Sequence, residues 1–223
     1  MKQHLLTEGN DFHLILQVCG QHGLKRPAGF LNQKEFEQKF VIKNRSGQPL
    51  GKTEVLGYVD EVAKTADLQA FAIVVDADSD VAATWQSVCD KLKNVGYSEL
   101  PTSPDLSGTV HADTNPDLPK VGIWLMPDNQ NPGEIEDFFL QLIPAGDGTL
   151  EAVSPAVQDL IDRKQNLFPD SDRSKAEAHT WLAWQKEPGR SMGVALKNGW
   201  ADAKSPLASK LADWFALVFE LEK

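Results

Sequence analysis

Acids at the ends of apolar runs are where this 223-residue sequence concentrates its chemistry. The run Phe71-Ala-Ile-Val-Val ends in Asp76-Ala-Asp78-Ser-Asp80, with carboxylates at alternate positions. Carboxylates gathered at one strand end either hold a hard cation or repel one another. Glu8 follows the short apolar segment His4–Thr7 and precedes Gly9, and Asp128 follows the run Val121–Met126. Oxygen donors without His or Cys suit Mg²⁺ or Mn²⁺ better than zinc. Plainer roles stand beside these: an acid after a strand can cap the next helix, the role expected of Asp80, and Glu8 can be a turn residue. An EF-hand reading of Asp-x-Asp-x-Asp fails at two positions, where Val81 replaces the sixth-position Gly and Ser87 the twelfth-position Glu.

The elements that must position these acids alternate between strand and helix patterns. Phe71–Val75 is short, unbroken and rich in β-branched residues, which predicts a central strand of a parallel sheet covered on both faces. His4–Thr7 predicts a strand, and Phe12, Ile15, Leu16 and Cys19 predict a helix capped by Asn10 or Asp11. A second strand is expected at Lys39–Lys43, followed by a helix from Lys52 to Ala66. Val81, Trp85, Val88, Leu92 and Val95 recur at helical spacing up to Gly96. The Pro-, Ser- and Asp-rich stretch 99–119 is long enough for a lid or a disordered loop. Val121–Met126 predicts a strand and Ile135, Phe138, Phe139 and Leu142 a helix, with Glu134, Glu136 and Asp137 in a first turn where acids ordinarily complement the helix dipole. Acid-bearing strand ends followed by helices describe one edge of a parallel α/β sheet, with Glu8, Asp76, Asp78 and Asp128 gathered where such sheets bind ligands.

Charge and composition narrow the classes. A net charge of −10 argues against a general nucleic-acid coat. Residues 21–55 nevertheless hold seven basic residues against three acids, a local basic region able to meet nucleic acid. Gly51-Lys52-Thr53 invites a phosphate-loop reading, but the Gly required five residues earlier is Ser46 and Gly47 is one residue out of register. Cys19 and Cys89 imply no disulfide framework, and no apolar run approaches a membrane span, so a soluble, cytoplasmic protein is expected. The C-terminal third reads as helical. Ser154-Pro155 looks like a helix start, Ser174 with Glu177 has capping-box spacing, and Trp181, Leu182 and Trp184 read as core. An amphipathic helix runs through Leu207, Leu211, Trp214, Phe215 and Val218. The turn Glu187–Arg190 either brings Arg190 to a phosphate at a helix start or is a solvated turn, and His179 is equally undecided. The expected division is an α/β domain over 1–150 with a helical extension, 151–223, packing on it.

Glu8-Gly9 after a strand, with Asp11 following, and Asp76-x-Asp78 after a hydrophobic strand resemble the TOPRIM domain of topoisomerases, primases and the overcoming-lysogenization-defect (OLD) type nucleases. The segments EGNDFH, AIVVDADSD, WLMPDNQNPGEIEDFF and HTWLAWQKEPGRSMG together resemble a small bacterial group of TOPRIM-related proteins. The resemblance implies that Glu8 is the acid/base glutamate, Asp76 and Asp78 the magnesium-binding pair and Glu136 the further acid of the nuclease branch, with Asp128 competing for that last role. Lys52 and Arg190 are the candidate phosphate contacts. The implied function is Mg²⁺- or Mn²⁺-dependent phosphodiester chemistry on nucleic acid, of nuclease type. Two other readings remain open. In a haloacid-dehalogenase-like phosphatase Asp76 would be the nucleophile and Asp78 its acid, and a non-catalytic metal- or nucleotide-binding module would work beside an ATPase partner.

Overall fold

Strand alternation divides the core of this computed structural model, which describes residues 2–9, 11–26, 29–30, 41–44, 46–48 and 50–222. The strands are β1 (Lys2–Thr7), β2 (Lys25–Arg26), β3 (Gly29–Phe30), β4 (Leu68–Asp76), β5 (Thr109–His111) and β6 (Lys120–Met126). β2 and β3 form a small antiparallel pair. The main sheet runs in the order β1-β4-β6-β5. β1, β4 and β6 are parallel, with Leu6 opposite Ile73 and Ile73 opposite Ile123, and β5 is antiparallel to β6.

Because successive side chains of a strand point to opposite faces, Phe71, Ile73, Val75, Ile123 and Leu125 face one way and Ala70, Ala72, Val74, Trp124 and Met126 the other. The first face is covered by the helices Lys52–Ala63 and Val81–Val95, through Val55, Val59, Trp85, Val88 and Leu92. The second lies under the helix Phe12–Gln21 and the later helices, from Ile135–Leu140 to Pro206–Phe219. Small residues on that face admit large ones: Trp214 packs on Trp124 at a centroid distance of 5.5 Å, and its Nε1 donates to Thr109 O at 2.9 Å. Gly122 lets the last helix approach, since a Cβ there would lie 2.3 Å from Val218 Cγ2. The protein is thus an α/β fold with a mainly parallel sheet flanked by helices and a helical C-terminal part.

Several local expectations change. The stretch 99–119 is not a lid. It supplies β5 beside β6, and it is anchored by Tyr97 Oη donating to Pro119 O (2.6 Å), Ser98 N to Asp113 Oδ2 (2.6 Å) and Trp85 Nε1 to Pro101 O (3.2 Å). Pro155 does not start a helix but lies inside Gly148–Asp162, whose cap is Asp147 accepting from Leu150 N. Burial of Val153 and Val157 outweighs the proline's lost hydrogen bond. The division expected at residue 150 falls inside that same helix. Ser174 likewise lies inside Arg173–Ala183, and Glu177 accepts from Arg173 Nε and Ser154 Oγ. Trp181 and Leu182 are core, whereas Trp184 is 53% exposed at the helix end. Of the strand expected at Lys39–Lys43, residues 39 and 40 lie outside the described residues, and Val41 makes a single parallel bridge to Leu5. Among the described residues no helix is long and apolar enough to cross a membrane.

Candidate functional site

Parallel pairing sets the C-terminal ends of β1, β4 and β6 side by side, so the residues that leave those strands start from one edge. Glu8 leaves β1 through a bridge to Leu50, and Gly9, at φ +48°, turns the chain into the first helix in a backbone region that suits glycine. The Glu8 carboxylate crosses to the neighbouring strand, where its Oε1 accepts the backbone N–H of Asp76 at 3.0 Å. Asp76 Oδ1 accepts from Ile135 N at 3.0 Å, which ties the end of β4 to the start of the helix Ile135–Leu140. Asp78, at φ +51°, exchanges both backbone hydrogen bonds with Gly133 (3.0 and 2.7 Å). The Asp-x-Asp turn is therefore clamped to the loop after β6. Asp80 does cap the next helix, accepting from Ala83 N at 2.9 Å.

The electrostatics follow from this placement. Asp76 is pushed up to about 8, first by burial and then by the charges of Glu8, Glu134, Glu136 and Asp78. Asp11 is raised well above the usual carboxylate range by burial, then by Asp76, Glu136, Glu8 and Glu134. Burial also raises Glu136, against which its own backbone N–H, Lys175 and His179 act. A group that pays for charge in this way is a common mark of a functional site. Lys175 Nζ pairs with Glu134 Oε2 at 2.5 Å, and His179 Nε2 lies 3.9 Å from Glu136 Oε1. A cleft of about 670 Å³ opens beside the group, lined by Asp78, Gly133, Glu134, Arg173 and Ser174 among others.

Glu8, Asp76, Asp78 and Glu136 are thus brought into one electrostatic neighbourhood, and Asp128 is placed apart from it. Asp128 turns into its own loop, where Oδ1 accepts from Gln130 N and Asn131 N (3.0 and 2.7 Å), and it borders a different hollow with Gln141 and Lys210. Arg190 is exposed and paired with Glu187 at 2.8 Å. Lys52 begins its helix, and its side chain lies outside the described residues, as do Lys34, Lys39 and Arg45 of the basic region. Sequence patterns assign Glu134 no role beyond the helix dipole and Lys175 none at all. Asp11, expected as a helix cap, makes no capping hydrogen bond through its side chain. Its position three residues after Glu8 on the same turn is the signal that links it to the site. Among the described residues no group of three or more His, Cys, Asp or Glu converges as it stands to hold a metal ion. In atom type and charge the set still fits a hard divalent cation, because every donor is a carboxylate oxygen.

No curated protein and no solved structure matches the chain. A family model described as a protein of unknown function (DUF3226) matches residues 2–220, and the chain belongs to that family.

Proposed function

We propose that this protein carries out Mg²⁺- or Mn²⁺-dependent phosphodiester chemistry on nucleic acid, of nuclease type, at a TOPRIM-like carboxylate site. The observation that carries the reading is the contact between strand ends, Glu8 Oε1 to Asp76 N at 3.0 Å, inside a group of acids whose charges act on Asp76. Desolvated like charges are unfavourable for a fold, and a cation would relieve them. Asp76 and Asp78 would hold the ion. Glu136 is favoured over Asp128 as the further ligand, because its charge acts on Asp76 while Asp128 is engaged in its own loop. Bound there, a divalent ion supplies Lewis-acid polarisation of the phosphate and stabilisation of the leaving oxygen. Glu8 would hold or move the proton of the attacking or departing group. The cleft lined by Asp78 and Glu134 would let a phosphodiester approach the group from that side. Arg190 would reach phosphate only by leaving Glu187. The cytoplasm is the compartment this reading assigns, in keeping with buried, unpaired Cys19 and Cys89.

The test is nicking or degradation of DNA and RNA by the purified chain. Activity is expected with Mg²⁺ or Mn²⁺ and is expected to vanish with chelator and in Asp76→Ala. Activity surviving that substitution removes the reading. Turnover of a small phosphomonoester, with phosphate trapped on Asp76, would replace it with the dehalogenase-like phosphatase. Inertness toward both substrates, with an ATPase co-purifying, would replace it with the interaction module.

A further inference from the structure

The carboxylate group carries its own counter-charge, supplied from a distant part of the sequence. The helix Arg173–Ala183 presents Lys175 and His179, which are four residues apart and so share a face. Lys175 Nζ lies 2.5 Å from Glu134 Oε2 and 3.8 Å from Asp172 Oδ1, and His179 Nε2 lies 3.9 Å from Glu136 Oε1. Glu134 and Glu136 are two of the acids whose charges act on both Asp76 and Asp11. The lysine side chain is 41% exposed and that of Glu134 is 21% exposed. A half-exposed ion pair contributes little to stability by itself, so its position against this group is better explained by what the group does.

We infer that Lys175 is the resident counter-ion of the metal-free carboxylates, and that its ammonium must move off Glu134, away from the ion, before Asp76, Asp78 and Glu136 hold a divalent cation. Lys175 thereby sets the affinity for that ion. The inference rests on the metal-dependent reading above. One ammonium offsets one carboxylate, whereas a divalent ion offsets two, and two cations held within one carboxylate group repel each other. Lysine suits an exchangeable role because its charge rides on a flexible four-carbon stem. Its partial exposure gives the displaced ammonium a path into water.

The experiment measures Mn²⁺ binding to the full chain, by calorimetry and by the shift in Tm, in wild type, Lys175→Met, Lys175→Gln, Lys175→Arg and Asp76→Asn. The neutral variants are expected to bind Mn²⁺ about tenfold more tightly, the size of a modest change in local charge. Lys175→Arg, which keeps the charge, is expected to bind no more tightly than wild type. Binding that is unchanged or weaker in both neutral variants, while still lost in Asp76→Asn, overturns the role of Lys175 and leaves the metal site standing. Equal tightening in Lys175→Arg also overturns it, because charge would then not be the cause. Absence of Mn²⁺ binding in every protein removes both the inference and the reading beneath it.

Discussion

Asp76 has a carboxyl group that burial, and then four neighbouring acids, push up to about 8 from an ordinary 3.8. An acid raised in this way keeps its proton in the fold over a pH range where the unfolded chain has released it. Stability therefore falls as pH rises from 3.8 toward about 8. Asp76→Asn removes that loss and retains an oxygen for Ile135 N. In chelator-treated protein the variant is expected to be more stable than wild type at pH 7 by roughly 2–4 kcal/mol, an order-of-magnitude figure from the size of the shift. The advantage is expected to shrink toward zero as the pH falls below 3.8, where both states are protonated. Mn²⁺ should raise the Tm of wild type more than that of the variant, because a ligand preferring the native state stabilises it by mass action. Thermal melts at several pH values decide this. Matching curves with and without Mn²⁺ would reduce Asp76 to a backbone acceptor for Ile135.

At the scale of elements, two glycines with opposite surroundings test how helices are seated in the fold. A Cβ on Gly122 would lie 2.3 Å from Val218 Cγ2 and 3.1 Å from Trp214 Cζ2, so Gly122→Ala must push the helix Pro206–Phe219 outward. The expected cost is about 1–3 kcal/mol, as for other overpacked cores. Gly57 sits inside the helix Lys52–Ala63, and a methyl group there would meet nothing within 4 Å, so Gly57→Ala is expected to stabilise by about 0.5–1 kcal/mol. Urea midpoints moving in these opposite directions would support the packing described. A neutral Gly122→Ala would mean that the last helix can move off β6 at no cost, against the close seating seen here.

For the molecule as a whole, the face of the sheet carrying Leu5, Ala70, Ala72, Val74 and Trp124 shares one buried cluster with Val153, Trp181, Leu211, Trp214 and Phe215. The helical part therefore supplies about half of that cluster, on one face of the sheet. A chain ending at residue 150 would expose that face and lose Lys175 and His179, the side chains that meet Glu134 and Glu136. It is expected to give no cooperative thermal transition and to aggregate, whereas the full chain is expected to melt cooperatively. Circular dichroism and light scattering check this. A soluble 1–150 fragment with a sharp transition would contradict it.

Period-2 and period-3.6 patterns are enough to set out the parallel strands ending at Thr7, Asp76 and Met126, the helix Val81–Val95 and the α/β class, because burying one face of an element leaves a local periodic mark. The same marks bring Glu8, Asp76 and Asp78 to one sheet edge, since strand ends are local features. They do not reveal that Asp128 turns back into its own loop, which depends on hydrogen bonds to Gln130 and Asn131. They also leave out β5, which is only three residues long and pairs with β6 across an irregular stretch, and the interior position of Pro155, where packing overrides propensity. Lys175 is the clearest case of what sequence withholds. It stands about a hundred residues from Asp76, and no spacing rule links a helix in the last third of a chain to a strand end in the first half. Only the folding of that helix over the sheet brings its ammonium to Glu134, because a salt bridge depends on distance in space.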